Sequence, residues 1–263
     1  MSILPGTILS GIVAGVVAWM VFAGLITLLV HRTLRGRLKG GEDALTGGLV
    51  MLARGYCRGV HRLEVRGAEQ IPADLPPEGL VVVANHTAGV DPLLVQAACP
   101  WRIRWIMLRD MMSPHLDWLW RRERAIAVDQ DGRDRGVVRE AVRHLREGGV
   151  VGIFPEGGIA RPRGTVLPFM AGAGVIIARS GAPVLLLWID GTPEVSTAWG
   201  ALLRPSRSRV HVLGVVRYAP RERPDAITED LRARLLAASG WSAAGDARSS
   251  ERAVEGAGAG ERR

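Results

Sequence analysis

The feature that most restricts the fold is an alternation of two patterns along the chain. Leu80 to Ala84 is a short apolar run followed by a helical pattern from about Pro92, and Ile103 to Leu108 leads into a tryptophan-rich helical stretch. Ala125 to Val128 precedes a helix from about Asp134 to Glu147, and Val150 to Phe154 precedes one from Phe169 to Ser180. Val184 to Ile189 is another buried-type strand, Arg209 to Tyr218 a strand with polar alternation, and Ala226 to Ser239 a last helix. Strands alternating with helices require crossover connections, so the expected class is α/β: a mixed, mostly parallel sheet flanked by helices.

Ahead of this pattern, Ile3 to Val30 carries no charged residue. It exceeds the roughly 20 apolar residues a helix needs to cross a bilayer. Its uncharged start and the absence of a short cleavable pattern favour a retained anchor over a signal peptide. Arg32, Arg35, Arg37 and Lys39 follow at once, which places the bulk of the chain on the cytoplasmic face. Residues 42 to 58, with Leu45, Leu49, Leu52 and Tyr56 at helical spacing, read as an amphipathic link. The expected organisation is a membrane anchor with a basic collar at 1–40, an α/β domain at 41–239, and a disordered tail at 240–263 rich in Gly, Ala, Ser and charge.

Composition removes several chemistries. Lys39 is the only lysine among 34 basic residues, which argues against a Schiff-base lysine or a P-loop. Cys57 and Cys99 stand far apart without a CxxC, so neither a disulfide framework nor a zinc ribbon is expected. No GxSxG elbow, HExxH or helix-opening GxGxxG is present. The net charge of +8 favours anionic partners, and with no nucleic-acid motif beside the anchor, lipid is preferred to nucleic acid. Trp101, Trp105, Trp118 and Trp120, interleaved with Arg102, Arg104, Arg121 and Arg122, read equally as an interfacial belt or as core plus solvated charge.

Two constellations carry chemistry. The apolar run at Val81 ends in Asn85-His86-Thr87-Ala88-Gly89-Val90-Asp91-Pro92, and α/β folds place ligands at the carboxyl ends of strands. Two readings of Asp91 stand open: an N-cap ahead of Pro92, or a partner that fixes the tautomer of His86 so that its other nitrogen takes a proton from a hydroxyl. The second constellation is Phe154-Pro155-Glu156-Gly157-Gly158, followed by Arg161 and Arg163. Glycines let backbone N–H groups approach an anion, and a guanidinium forks onto phosphate; the plain alternative is a strand-to-helix turn with a solvated basic rim.

NHTAGVD resembles the NHxxxxD motif, and FPEGG the FPEG motif, of the glycerolipid acyltransferases typified by the 1-acylglycerol-3-phosphate O-acyltransferases. The resemblance runs from about Leu80 to Gly191 and includes Ala125-Ile-Ala-Val-Asp-Gln130, Val166-Leu-Pro-Phe-Met-Ala-Gly-Ala173 and Gly181-Ala-Pro-Val184. It implies transfer of a fatty acyl group from acyl-CoA or acyl carrier protein to the hydroxyl of a lysophospholipid, 1-acylglycerol-3-phosphate first among acceptors. His86 and Asp91 would be catalytic. Asn85, Glu156, Gly157 and Gly158 would shape the acceptor site, with no cofactor and no metal. Where that family carries an arginine for the acceptor phosphate this chain has Gln130, with Arg133 three residues on, and FPEG is followed by Gly158-Ile-Ala-Arg161 rather than Thr-Arg. Arg161, Arg163 and Arg133 are therefore the candidate phosphate ligands. The rival from another class is a catalytically silent lipid-binding or scaffold protein of the same fold, and the pairing of a histidine with an acid counts against it.

Overall fold

The computed structural model describes residues 44–129, 135–195, 197 and 199–244. The anchor at Ile3 to Val30, together with Gln130 and Arg133, lies outside the described residues. Among the described residues no helix is long and apolar enough to cross a membrane. The chain divides into a unit ending at Leu52 and a second running from Ala53 onward; apart from the start of the first helix, everything discussed below belongs to the second.

In chain order the elements are α1 (Ala44–Gly59), β1 (Glu64–Arg66), β2 (Leu80–Ala84), α2 (Asp91–Ala98), β3 (Arg104–Leu108), α3 (Asp117–Glu123), β4 (Ile126–Val128), α4 (Arg135–Arg146), β5 (Val150–Ile153), β6 (Thr165–Val166), α5 (Ala171–Ser180), β7 (Val184–Asp190), α6 (Gly200–Leu203), β8 (Arg209–Val216), α7 (Pro224–Ser239) and β9 (Ser242–Ala243). Seven strands form one sheet in the order β1-β8-β7-β2-β5-β3-β4. Its pairs are parallel except β7 with β8, which are antiparallel. The α/β expectation of a mixed, mostly parallel sheet therefore holds.

The central strand shows why this sequence folds so. All five residues of β2 are buried, as a strand covered on both faces must be. Because side chains alternate, Leu80, Val82 and Ala84 enter one core with α2, Trp101 and Ile103, whereas Val81 and Val83 enter the other with α4, α5 and α7. Each fully buried aliphatic side chain contributes roughly 1.5–3 kcal/mol. On α4 the buried positions are Val137, Ala141, Val142 and Leu145, one stripe at helical spacing.

Three features depart from the sequence reading. The three-residue β1 and the four-residue α6 were too short to signal by periodicity. The chain past Ser239 is not a tail from its first residue. Gly240 closes α7 in the left-handed conformation at φ 67°, and Ser242–Ala243 pair in parallel with Thr165–Val166; only 245–263 lie outside the described residues. Trp101 is 1% exposed and belongs to the core, which removes it from any interfacial belt, while Trp118 is 56% exposed.

Helices α5 and α7 meet at Gly174, where a Cβ would stand 2.0 Å from the Pro224 carbonyl oxygen. Backbone cannot swing away as a side chain does. Gly174→Ala is expected to lower stability by about 1–3 kcal/mol, the range for overpacked sites, read as a shift in urea midpoint without a change in slope.

Candidate active site

The site is built where three adjacent strands end. β2 lies between β7 and β5, so the loops that leave their carboxyl ends, 85–90, 154–164 and 191–199, converge on one edge. Asn85 ties the first of these to β7. It is wholly buried, its Nδ2 donates to the Ile189 carbonyl at 3.0 Å, and its Oδ1 accepts the Ile189 N–H at 2.7 Å. The amide of Asn85, expected to shape the acceptor site, here completes a backbone ladder.

His86 follows, with its side chain 19% exposed. Its Nδ1 lies 2.9 Å from Asp91 Oδ2. That carboxylate is fully buried and accepts the N–H groups of Thr87 at 2.6 Å and Ala88 at 2.9 Å, with the Thr87 hydroxyl 3.2 Å from each of its oxygens. An ionised acceptor surrounded by donors leaves His86 Nδ1 to be the donor in this contact. His86 Nε2 has no partner among the described residues and is the nitrogen left able to accept a proton. The capping reading of Asp91 fails: Val90 occupies the N-cap of α2, with no side-chain cap bond, and the Asp91 carboxylate turns back into the preceding loop instead of toward the helix.

A column of rings fixes the imidazole plane. His86 stacks on Phe154 with centroids 4.4 Å apart and planes 18° from parallel, and Phe154 stacks on Trp105 at 4.8 Å and 6°. Trp105 on β3 pairs with Gly152 on β5, and a Cβ at Gly152 would sit 2.5 Å from the indole. Glycine there is what lets Trp105 lie flat across the strand and support Phe154.

Glu156 holds the two motifs together. Its Oε1 accepts the His86 N–H and its Oε2 the Leu167 N–H, each at 2.8 Å, and Ala160 N–H donates to the His86 carbonyl at 2.9 Å. Burial pushes the Glu156 carboxyl up to about 7, while the N–H groups of Leu167 and His86 and the charge of His86 pull it down. Gly157, at φ 66° and with its N–H closing a turn onto the Phe154 carbonyl, serves the turn; Gly158 has open space around it.

Arg161 and Arg163 both reach the site and are both tethered there. Arg161 donates through Nη1 to the carbonyls of Thr87 at 3.1 Å and Ala160 at 2.8 Å, and through Nη2 to Val195 at 3.1 Å. Arg163 Nη2 donates to the Thr192 carbonyl and to Thr192 Oγ1. Of five guanidinium N–H groups, these bonds leave two on Arg161. Thr192 Oγ1 lies 2.9 Å from Thr87 Oγ1, which extends the network from β7 to Asp91. Sequence reasoning missed Thr87, Thr192, Phe154 as a stacking partner and Trp105; Thr192 was detectable only by asking which residues follow every strand end. Cys99 is fully buried, with burial pushing its thiol up to about 12, which excludes it as a nucleophile. No group of metal-ligating side chains occurs among the described residues.

Glu156 carries a pH-dependent prediction. A carboxyl raised above its ordinary value of 4.5 binds its proton more tightly in the folded chain, so its stabilisation is full below that value and is lost as pH rises through about 7. Glu156→Gln cannot titrate and repels one N–H, so it should be less stable than wild type, with a gap in urea midpoint that narrows between about pH 5 and about pH 8.

The fold is similar to the crystal structure of the 1-acyl-sn-glycerophosphate (LPA) acyltransferase PlsC from Thermotoga maritima, with a TM-score of 0.58 and 21% identity over 81% of this chain and 87% of that one. Residues 62–190 match the family model described as Acyltransferase, a span that contains His86, Asp91, Glu156, Arg161 and Arg163, and the two findings together support a glycerolipid acyltransferase family.

Proposed function

We propose that this acyltransferase moves a fatty acyl group from a thioester, acyl-CoA or acyl carrier protein, to the hydroxyl of a lysophospholipid, with 1-acylglycerol-3-phosphate the leading acceptor and phosphatidate its product. One observation carries the reading: His86 is bonded through Nδ1 to a buried carboxylate at 2.9 Å, and its side chain is 19% exposed, with Nε2 left without a partner among the described residues. His86 Nε2 removes the proton of the acceptor hydroxyl as its oxygen bonds to the thioester carbonyl carbon. The tetrahedral intermediate collapses with cleavage of the C–S bond, and the departing thiolate takes the same proton back from His86. Asp91 supports the imidazolium between the two transfers. The similarity to an LPA acyltransferase supports the choice of acceptor.

The two N–H groups left on Arg161, with those left on Arg163, are the donors for an acceptor phosphate; Arg133 is the third candidate. The uncharged run at Ile3 to Val30 and its basic collar supply the attachment to a membrane, with the catalytic domain on the cytoplasmic face where acyl donors are made. A silent scaffold would have no use for a histidine whose tautomer is fixed by a buried acid.

His86→Ala should abolish transfer of labelled acyl groups to lysolipid, a loss of roughly 10²–10⁴ in rate, with the fold retained by circular dichroism. Asp91→Asn should also lower kcat, because an amide presents a donor where Thr87 and Ala88 already donate. Undiminished turnover in the His86 variant would remove the mechanism. Arg161→Lys is expected to raise KM for a phosphate-bearing acceptor while that for the donor changes little, since lysine lacks the planar fork; acceptor kinetics unchanged when lysine replaces Arg161, Arg163 and Arg133 singly would point to a neutral hydroxyl lipid.

A further inference from the structure

Away from the catalytic edge, α4 presents a row of cations to solvent. Arg135, Arg139, Arg143 and Arg146 are all exposed, on the side opposite the buried stripe of Val137, Ala141, Val142 and Leu145. Arg179, near the end of α5, joins them across an open groove of about 430 Å³ floored by Val138 and Val142. A second groove of about 680 Å³ continues it toward Arg135. Arg146 donates to the Arg179 carbonyl at 3.0 Å. Glu147 stands on the rim, yet none of these five arginines makes an ion pair among the described residues.

Some arginines elsewhere do find acids, as in Arg104 with Glu140 at 2.6 Å, Arg209 with Asp190 at 2.8 Å, Arg102 with Glu123 at 3.2 Å and Arg234 with Asp230 at 2.7 Å. Five neighbouring guanidiniums, with Glu147 at their rim, repel one another, a cost that an anionic partner removes.

Spacing indicates the shape of that anion. Arg135, Arg139 and Arg143 recur every four residues, about 6 Å apart along the axis. A single phosphate meets one or two guanidiniums, whereas a line of them matches carboxylates repeated at the same spacing on an acidic helix, with the apolar floor to receive its hydrophobic residue. A bilayer fits less well, because large exposed apolar side chains such as Trp118, Trp199 and Leu203 lie on other segments. Arg135 opens α4 on the side where β4 ends, and β4 lies three strands from β2, about 14 Å away, while Arg139, Arg143 and Arg146 follow along the helix toward the start of β5. The row therefore starts on the edge that holds His86.

We propose that this arginine face docks an acidic helical protein, the acyl carrier that presents the thioester to His86. The inference rests on the acyl-transfer reading and selects the surface by which one of its two donor classes is recognised. Full-length wild type and Arg139→Glu/Arg143→Glu are assayed with the same acyl chain on acyl carrier protein and on CoA, with one lysolipid acceptor. The variant should raise KM for the carrier-linked donor by roughly tenfold or more, with loss of its salt dependence, while KM for acyl-CoA changes little. Arg139→Gln/Arg143→Gln, which only neutralises, should show a smaller effect of the same kind and serves if charge reversal impairs folding. Equal impairment with both donors would assign the face to CoA phosphates or to anionic lipid. An unchanged carrier KM, or a wild type that uses acyl-CoA alone, would also overturn the proposal. A wild type inactive with both donors would instead refute the acyl-transfer reading itself.

Discussion

The buried carboxylate of Asp91 is the constraint around which the catalytic edge is arranged. Taking an ionised acid out of water costs several kcal/mol unless it is hydrogen-bonded. Here the imidazole of His86 and the N–H groups of Thr87 and Ala88 converge on one of its oxygens. They can converge only if residues 86 to 91 curl into a turn, so the requirement to satisfy one charge shapes the loop, orients the histidine and fixes where α2 begins. The function follows from the same geometry. A donor at Nδ1 is an acceptor at Nε2, and Nε2 has no partner among the described residues.

Around that centre, parts with no role in proton transfer are held by backbone contacts. Glu156 spans the His86 and Leu167 amides, Asn85 spans both backbone groups of Ile189, and Arg161 gathers carbonyls from two loops other than its own neighbourhood. Polar residues expected to face a substrate are thus in large part the scaffold of the site. Such networks are rigid because each unmade bond would leave a buried group unsatisfied, at about 1–3 kcal/mol apiece. Rigidity serves catalysis, since a base misplaced by a fraction of its hydrogen-bond length loses its proton transfer.

The chain also separates its surfaces by chemistry. The catalytic edge is ringed by arginines whose guanidiniums are partly committed to carbonyls, whereas the face of α4 carries arginines that make no ion pair among the described residues. The first arrangement positions loops and leaves a few donors for a small anion. The second is an extended field suited to a large one. An amphipathic helix with an arginine-rich outer face reads from sequence as solvated charge, and what distinguishes this one is the groove it shares with Arg179 of α5.

What the sequence determined by itself was the order of strands and helices, the α/β class, and the two motifs that end on strands. Apolar runs such as Leu80 to Ala84 admit little else, because a strand buried on both faces needs an unbroken run of small aliphatic residues. The pair His86 and Asp91 was also legible, with its meaning divided between cap and partner, and backbone geometry decided for the partner by turning the carboxylate into the loop. Other assignments waited for tertiary structure. That Thr192 joins the network depends on β7 lying beside β2, and that Trp105 supports Phe154 depends on Gly152 being its cross-strand neighbour. Strand order and register join residues dozens of positions apart through contacts that no local pattern encodes, which is why a linear reading finds the base and its acid but not the rings and hydroxyls that hold them.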